Sequence, residues 1–398
     1  MRARRILLEL FDAALRAVDG RECVARFLRT AKLPAPIEVF AIGKAASAMA
    51  RGAIDALGPV IGNILVITKD GHVDPELMRR GNVTLIESAH PVPDERSLAA
   101  GAELVARVRA LRAEVLPLFL VSGGSSSLVE QLNDGATLED LRALNVRGLA
   151  AGWNIATLNA ERARLSQLKA GGVARLLGRR RALALFISDV PGDDPNVIGS
   201  GLLGPGLLEP ESHGDAIERH VVANAGAAVR AVADAAHAHG LTFESLAAPF
   251  DGEAADVAHR FVDVLRASSA DGVVWGGEST VTLPAMHGQG GRNTHLALAA
   301  ARLLRAGEPL LILAAGTDGT DGPTSDAGAI VDAGSLERAE LAGVDVERAF
   351  LKFDSGPVLE AAEDLVHTGP TGTNVGDILI GLKQTATSMG DHRASRVL

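Results

Sequence analysis

Along the chain, short continuous apolar runs alternate with longer stretches in which Ala, Leu and Val recur at three- and four-residue spacing among Arg, Glu and Asp. Apolar runs of that length mark strands covered on both faces, and helical spacing between them marks crossover helices. The pattern predicts strands over Ile37–Ile42, Ile64–Thr68, Val83–Glu87, Pro117–Val121 and Ala182–Ser188. Helices are predicted over Ala45–Leu57 and Ser97–Leu111, with a helical region from Leu138 to Leu165. After Gly240 glycine-rich loops become dense, and Gly272–Trp275 with Thr280–Leu283 suggest a hairpin or edge pair. Behind Met-Arg-Ala-Arg-Arg, the residues Ile6, Leu7, Leu10, Phe11, Ala14, Leu15 and Val18 form one helical stripe. Glu9 and Asp12 interrupt the apolar run there, which argues against a signal peptide. The expectation is an α/β protein of two α/β domains. The first, residues 1–235, has a Rossmann-like parallel sheet with helices on both faces, and the second, 236–385, is smaller. The helix Asn224–Ala238 is the expected connector, and 386–398 reads as a disordered tail.

Composition narrows this further. The chain has 398 residues, 47% apolar, with 44 glycines and no tyrosine, as in an Ala/Leu/Val-rich enzyme rather than a β-sandwich. A formal charge of −10 argues against nucleic acid as a partner, although a local cluster of Lys, Arg and amides still accommodates an anion. A single cysteine, Cys23, excludes an internal disulfide and a multi-cysteine metal site, and is expected in a buried position on the first helix. With no apolar stretch long enough for a bilayer, a soluble cytoplasmic protein is expected, and a homodimer is left open.

The chemistry-bearing segments sit directly behind strand-like runs. Behind Pro309–Leu313 comes Ala-Ala-Gly316-Thr317-Asp318-Gly-Thr-Asp321-Gly-Pro-Thr-Ser-Asp326, whose spaced carboxylates build no core and suit a hard cation such as Mg²⁺. A related loop is His367-Thr-Gly-Pro-Thr-Gly372-Thr373-Asn374-Val-Gly-Asp377. Gly43-Lys44, between a strand and a helix, suits an anion or a transferring phosphoryl group, and its single glycine is neither a Walker motif nor a dinucleotide fingerprint. Ser122-Gly123-Gly124-Ser125, with Ser126 and Ser127, has the hydroxyls and flexible backbone of an anion nest. Asp189, behind Ala184–Ile187, lies where open α/β sheets bind ligands, whereas Asp193 and Asp194 suit the capping of the next turn. Arg292 of Gly-Gly-Arg292-Asn and Glu278 of Gly-Gly-Glu278-Ser-Thr pair a fork-shaped cation with a carboxylate. His72, His90, His287 and His367 lack metal-ligand spacing.

These boxes, in this order and over nearly the whole chain, resemble class II glycerate kinase, the two-domain family whose C-terminal part is the MOFRL domain. The resemblance implies ATP-dependent phosphorylation of D-glycerate, typically at the 2-hydroxyl, in a cleft between the domains. By matching boxes it implies Lys44 and Arg292 as the active-site lysine and arginine, with Asp189 as a carboxylate able to accept the hydroxyl proton. Ser122, Gly123, Gly124 and Ser125 match its phosphate-facing loop, and Asn224 and Glu278 match polar cleft positions. Gly316, Thr317, Asp318, Gly372, Thr373 and Asn374 fall in loops expected near the nucleotide, and Asp318 and Asp321 near Mg²⁺. Three positions depart from the family pattern: Arg164 stands where His is usual, Leu202 where Pro is usual, and His295 where Glu is usual. A kinase of another small hydroxy acid, an oxidoreductase of hydroxypyruvate and a non-catalytic anion sensor are the alternatives.

Overall fold

The computed structural model describes residues 2–150, 155–204, 216–284 and 286–384. They form two compact units. The first unit comprises Asp19–Asn224 with Gly372–Asn374, and the second comprises the residues up to Val18, Ala225–Thr371 and those from Val375 onward.

The sheet of the first unit contains β1 (Ile37–Ile42), β2 (Ile61–Lys69), β3 (Val83–Ser88), β4 (Leu116–Val121), β5 (Ala182–Ile187) and β6 (Ile217–Ala223). Its order is β3-β2-β1-β4-β5-β6 with every neighbour parallel. Every residue of β4 and β5 is buried, as a sheet covered on both faces requires. On one face Phe40, Ile42, Leu65, Ile67, Phe119, Val121 and Phe186 pack with helix Glu95–Ala110 and helix Gly172–Leu177, and Phe40 stacks on Phe119 at 4.9 Å. The alternate residues are equally buried and face helices Gly20–Thr30 and Ala46–Leu57.

The sheet of the second unit contains β7 (Phe243–Ser245), β8 (Gly272–Gly277), β9 (Leu310–Gly316), β10 (Gly328–Asp332), β11 (Leu365–Val366) and β12 (Asp377–Lys383). Its order is β11-β10-β9-β12-β8-β7, antiparallel except for the parallel pair β7–β8. Helices Ala254–Ala267 and Arg292–Leu303 cover one face around Phe250, Phe261 and Trp275. Helix Arg2–Ala17 and helix Ala225–Ala238 pack on each other and contact β8, β9 and β12.

Several expectations change here. The compact units divide at Asn224/Ala225, and residues up to Val18 belong to the second unit. The reason is the apolar stripe: Ile6, Leu7, Leu10, Phe11 and Ala14 are buried in the second unit, at roughly 1.5–3 kcal/mol for each large side chain. Helix Ala225–Ala238 is therefore part of that layer, not a connector. Cys23 is buried, but on helix Gly20–Thr30, because Asp19 caps a second helix by accepting from Glu22 N. Gly272–Gly277 lies between β12 and β7 rather than at an edge, and Thr280–Leu283 is not a strand. There Thr282 N and Oγ1 donate to the Glu253 carboxylate and draw the segment off the sheet. The Leu138–Leu165 region is helical as expected, with Leu138–Ala150 and Ile155–Leu165 among the described residues. The expected tail 386–398 lies outside the described residues.

Candidate active site

In the first unit the strand order reverses between β1 and β4, so the loops behind these two strands diverge and leave a crevice at their carboxyl ends. Gly43-Lys44 follows β1 and Ser122–Ser125 follows β4, which brings two of the expected boxes to one spot. Lys44 N donates to the Gly123 carbonyl and Ser122 N to the Ile42 carbonyl, both at 3.0 Å, while Ala45 N donates to Ser122 Oγ at 3.0 Å. Gly43 has φ 129°, and a Cβ there would overlap Ser122, so this approach is open to glycine alone. Its carbonyl accepts from the buried Thr68 Oγ1 at 3.0 Å.

The backbone at Lys44 is thus fixed from three strands, and its half-buried side chain runs beside Gly124, as does the His90 ring. Asp189, behind β5, completes the cluster: Asn374 Nδ2 donates to Asp189 Oδ2 at 3.0 Å. A Cβ at Gly123 would overlap both groups. Ser125 Oγ and Ser47 Oγ are buried with no hydrogen-bond partner among the described residues. Helix Ala46–Leu57 has no side-chain cap, so its first-turn N–H groups and dipole favour an anion here. Asn224 Nδ2 donates to Asp193 Oδ2 at 2.6 Å, and Asp194 turns its own loop by accepting from Asn196 N.

The second unit holds the other expected residues. Arg292 opens helix Arg292–Leu303 and is ion-paired to Glu278 and, at 3.5 Å, to Asp377 Oδ2. Asn293 Nδ2 donates to Asp377 Oδ1 at 3.0 Å. Burial pushes the Asp377 carboxyl up to about 6 even though Arg292 and Asn293 favour its charged form. Burial alone would lower Arg292, but Asp377, Glu278 and Asp321 outweigh it and hold the guanidinium above its ordinary value. The result is a fork with a donor edge braced on two carboxylates.

Asp321, expected at a metal, has its oxygens committed to that helix. Oδ1 accepts from Asn293 N at 2.9 Å, and Oδ2 from Thr294 N at 2.7 Å and Thr294 Oγ1 at 2.8 Å. Burial raises its pKa against these bonds. Asp318 accepts from Thr320 N at 3.0 Å and Thr320 Oγ1 at 3.2 Å within its own turn. Among the described residues no three His, Cys, Asp or Glu gather as a metal cage. Of the two carboxylates expected at a metal, Asp318 is the one that does not cap the helix. Of the expected nucleotide residues, Gly316 ends β9 and Thr317 and Asp318 follow it in the second unit, while Gly372, Thr373 and Asn374 belong to the first.

The model of the family described as "Domain of unknown function (DUF4147)" matches residues 6–234, and that of the MOFRL family matches 272–377. The chain belongs to this two-part family, that of the class II glycerate kinases. A Thermotoga maritima D-glycerate 2-kinase is 32% identical, covering 95% of this chain and 98% of its own. A solved Thermotoga maritima glycerate kinase superposes with a TM-score of 0.81 at 31% identity, over 95% of this chain and 99% of that one. An Agrobacterium vitis protein with a provisional hydroxypyruvate reductase name is 35% identical over 94% of this chain and 93% of its own.

Of the three departures from the pattern of the class II glycerate kinases, one is exposed and two are buried. Arg164 is exposed and pairs with Glu161 at 2.9 Å, and Leu202 is buried in the core of the first unit. His295 is buried with its ring stacked on Phe350 at 4.8 Å and Phe353 at 4.2 Å. Burial lowers its pKa from 6.5 to about 4. A ring held neutral when folded must charge when unfolded, so the protein should lose stability as pH falls from 6.5 towards 4. The loss reaches about 3 kcal/mol from this group alone. His295→Gln is expected to lack that part of the acid sensitivity, which thermal melts of both proteins between pH 4 and 7 would show.

Sequence reasoning passed over Glu130. Glu130, in Ser-Leu-Val-Glu-Gln-Leu, is buried and forms an ion pair with the buried Lys169, and burial lowers the Lys169 pKa against the pull of Glu130. Its only signal was a lone charge in an apolar run. Lys169→Met would leave Glu130 buried and unpaired, at about 3–5 kcal/mol. A fall in the denaturant midpoint with an unchanged slope would report it.

Proposed function

We propose that this chain is a glycerate 2-kinase that transfers the γ-phosphoryl group of ATP to the 2-hydroxyl of D-glycerate. The observation that carries the reading is the cluster at the reversal of strand order: Lys44, the Ser122–Ser125 loop, Asp189 and Asn374 are brought together from four separate segments. Phosphoryl transfer needs little covalent help, so positioning and charge neutralisation dominate. The Lys44 ammonium and the N–H groups of the glycine-opened loop neutralise the transferring group. The glycerate hydroxyl oxygen bonds to phosphorus as the bond to the ADP oxygen breaks, and the hydroxyl proton passes to Asp189. Arg292 takes the glycerate carboxylate or the developing charge. Mg²⁺ would supply further neutralisation when bound with the nucleotide, and Asp318 rather than the helix-capping Asp321 would be the carboxylate to hold it, which suits a cation that takes only one or two carboxylates.

The test is ADP formation from ATP, D-glycerate and Mg²⁺, coupled through enolase so that only 2-phosphoglycerate yields enolpyruvate phosphate. A coupled signal is the expected result. ADP without it would shift the product to the 3-phosphate or to hydrolysis, and no glycerate-dependent ADP would overturn the reading. The provisional name of the Agrobacterium vitis relative favours a second reading, reduction of hydroxypyruvate. The turn behind β1 has one glycine where a dinucleotide fingerprint has three. NADH oxidation by hydroxypyruvate would be needed to sustain that reading.

A further inference from the structure

Ser200 lies at φ 56°, ψ 31°, flanked by Gly199 and Gly201, which also have positive φ. A serine held in the left-handed region where glycine would sit without strain points to a use for its side chain. Its hydroxyl lies 2.6 Å from Ser126 Oγ, where either group can donate, and 3.4 Å from Asn159 Oδ1. Beside it, Gly199 approaches Ser125 so closely that a Cβ would overlap Ser125 Oγ. The 199–201 turn is thus pressed against the serine loop.

What holds the turn there is also visible. Ala170 N donates to the Ser200 carbonyl at 3.0 Å, Gly171 N to the Gly201 carbonyl at 2.7 Å and Val173 N to the Leu202 carbonyl at 3.1 Å. Lys169, immediately before them, is ion-paired to Glu130. Glu130 Oε1 accepts from Ser166 Oγ at 2.5 Å and Gln131 N at 3.0 Å, and Ser166 Oγ accepts from Leu168 N and Lys169 N. Glu130 itself follows the helix Ser125–Leu128 of the serine loop. The contacts close a ring: serine loop, Glu130, Lys169, the 170–173 backbone, Ser200, serine loop. Nothing in the catalytic scheme uses the buried pair.

We infer that Ser200 is a further positioning residue for the phosphate-facing loop, and that the Glu130–Lys169 pair is the strut that seats it. The inference rests on the kinase reading above. Ser200 acts through Ser126, fixing the orientation in which the loop presents its N–H groups to the transferring phosphoryl.

The test is steady-state kinetics and thermal melts of Ser200→Gly, Ser126→Ala, their double variant and Glu130→Met/Lys169→Met. Ser200→Gly keeps the left-handed backbone without strain and loses only the hydroxyl, so it should melt at or above the wild-type temperature. Its kcat should fall by about tenfold or more, since small misplacements are costly in transfer reactions, with a smaller change in the KM for ATP. Ser126→Ala should produce a similar loss, and the double variant no more than either alone. The double Met variant removes both buried charges at similar volume, so it should fold and show the same fall in kcat. Unchanged kcat in a folded Ser200→Gly would overturn the role of Ser200, and wild-type kcat in a folded double Met variant would overturn the strut. Absence of wild-type turnover with D-glycerate would instead be a failure of the kinase reading.

Discussion

Lys44→Ala is expected to lower kcat by about 10²–10³-fold, the usual loss when one preorganised charge-stabilising donor is removed. The loss should fall on turnover rather than folding. The local fold is held by Lys44 N on the Gly123 carbonyl, Ala45 N on Ser122 Oγ and Thr68 Oγ1 on the Gly43 carbonyl, none of which uses the ammonium group. Circular dichroism and the melting temperature should therefore match wild type while the enolase-coupled rate collapses. Lys44→Arg should not restore the rate, because a planar fork cannot reproduce a compact point charge between two tight loops. A variant with near-normal turnover would remove the lysine from the mechanism.

Arg292→Ala should be at least as damaging, on the order of 10³-fold in kcat, the lower range for an arginine that neutralises a transferring phosphoryl. Here folding is not indifferent. Arg292 is ion-paired to both Glu278 and the buried Asp377, whose carboxyl already sits at about 6. Without the guanidinium, the Asp377 carboxyl should rise further and the protein should lose stability as pH rises through that range, since a buried unpaired carboxylate is costly. Adding Asp377→Asn removes the stranded charge and should restore the melting temperature at pH 8. It should not restore turnover. Recovery of both would show that Arg292 serves only as a counter-charge; recovery of stability alone would separate its chemical role from its structural one.

Much of the first unit was legible because its inner strands are buried on both faces and their apolar runs are uninterrupted, as in Leu116–Val121 and Ala182–Ile187. The strand Ile217–Ala223 was missed because Glu218, Arg219 and His220 break the run at the end of the sheet. Lys44, the Ser122–Ser125 loop and Asp189 were legible for a related reason: glycines, hydroxyls and charges placed directly behind apolar runs have no role in a core. Asp321 was singled out on the same signal, and spacing could not show that its oxygens accept from the N–H groups of a helix begun nearly thirty residues earlier.

The sequence by itself determined the local chemistry of this protein: which runs become strands, which loops are too polar and too rich in glycine to be structural, and which family pattern they follow. Those properties depend on neighbours along the chain. Tertiary structure alone decided the partnerships: helix Arg2–Ala17 in the second unit, Asn374 on Asp189, Glu130 on Lys169, and His295 between two phenylalanines. Each joins segments tens to hundreds of residues apart. Their energies come from burial and from the pairing of desolvated polar groups, which exist only once the sheets have formed and brought those segments together.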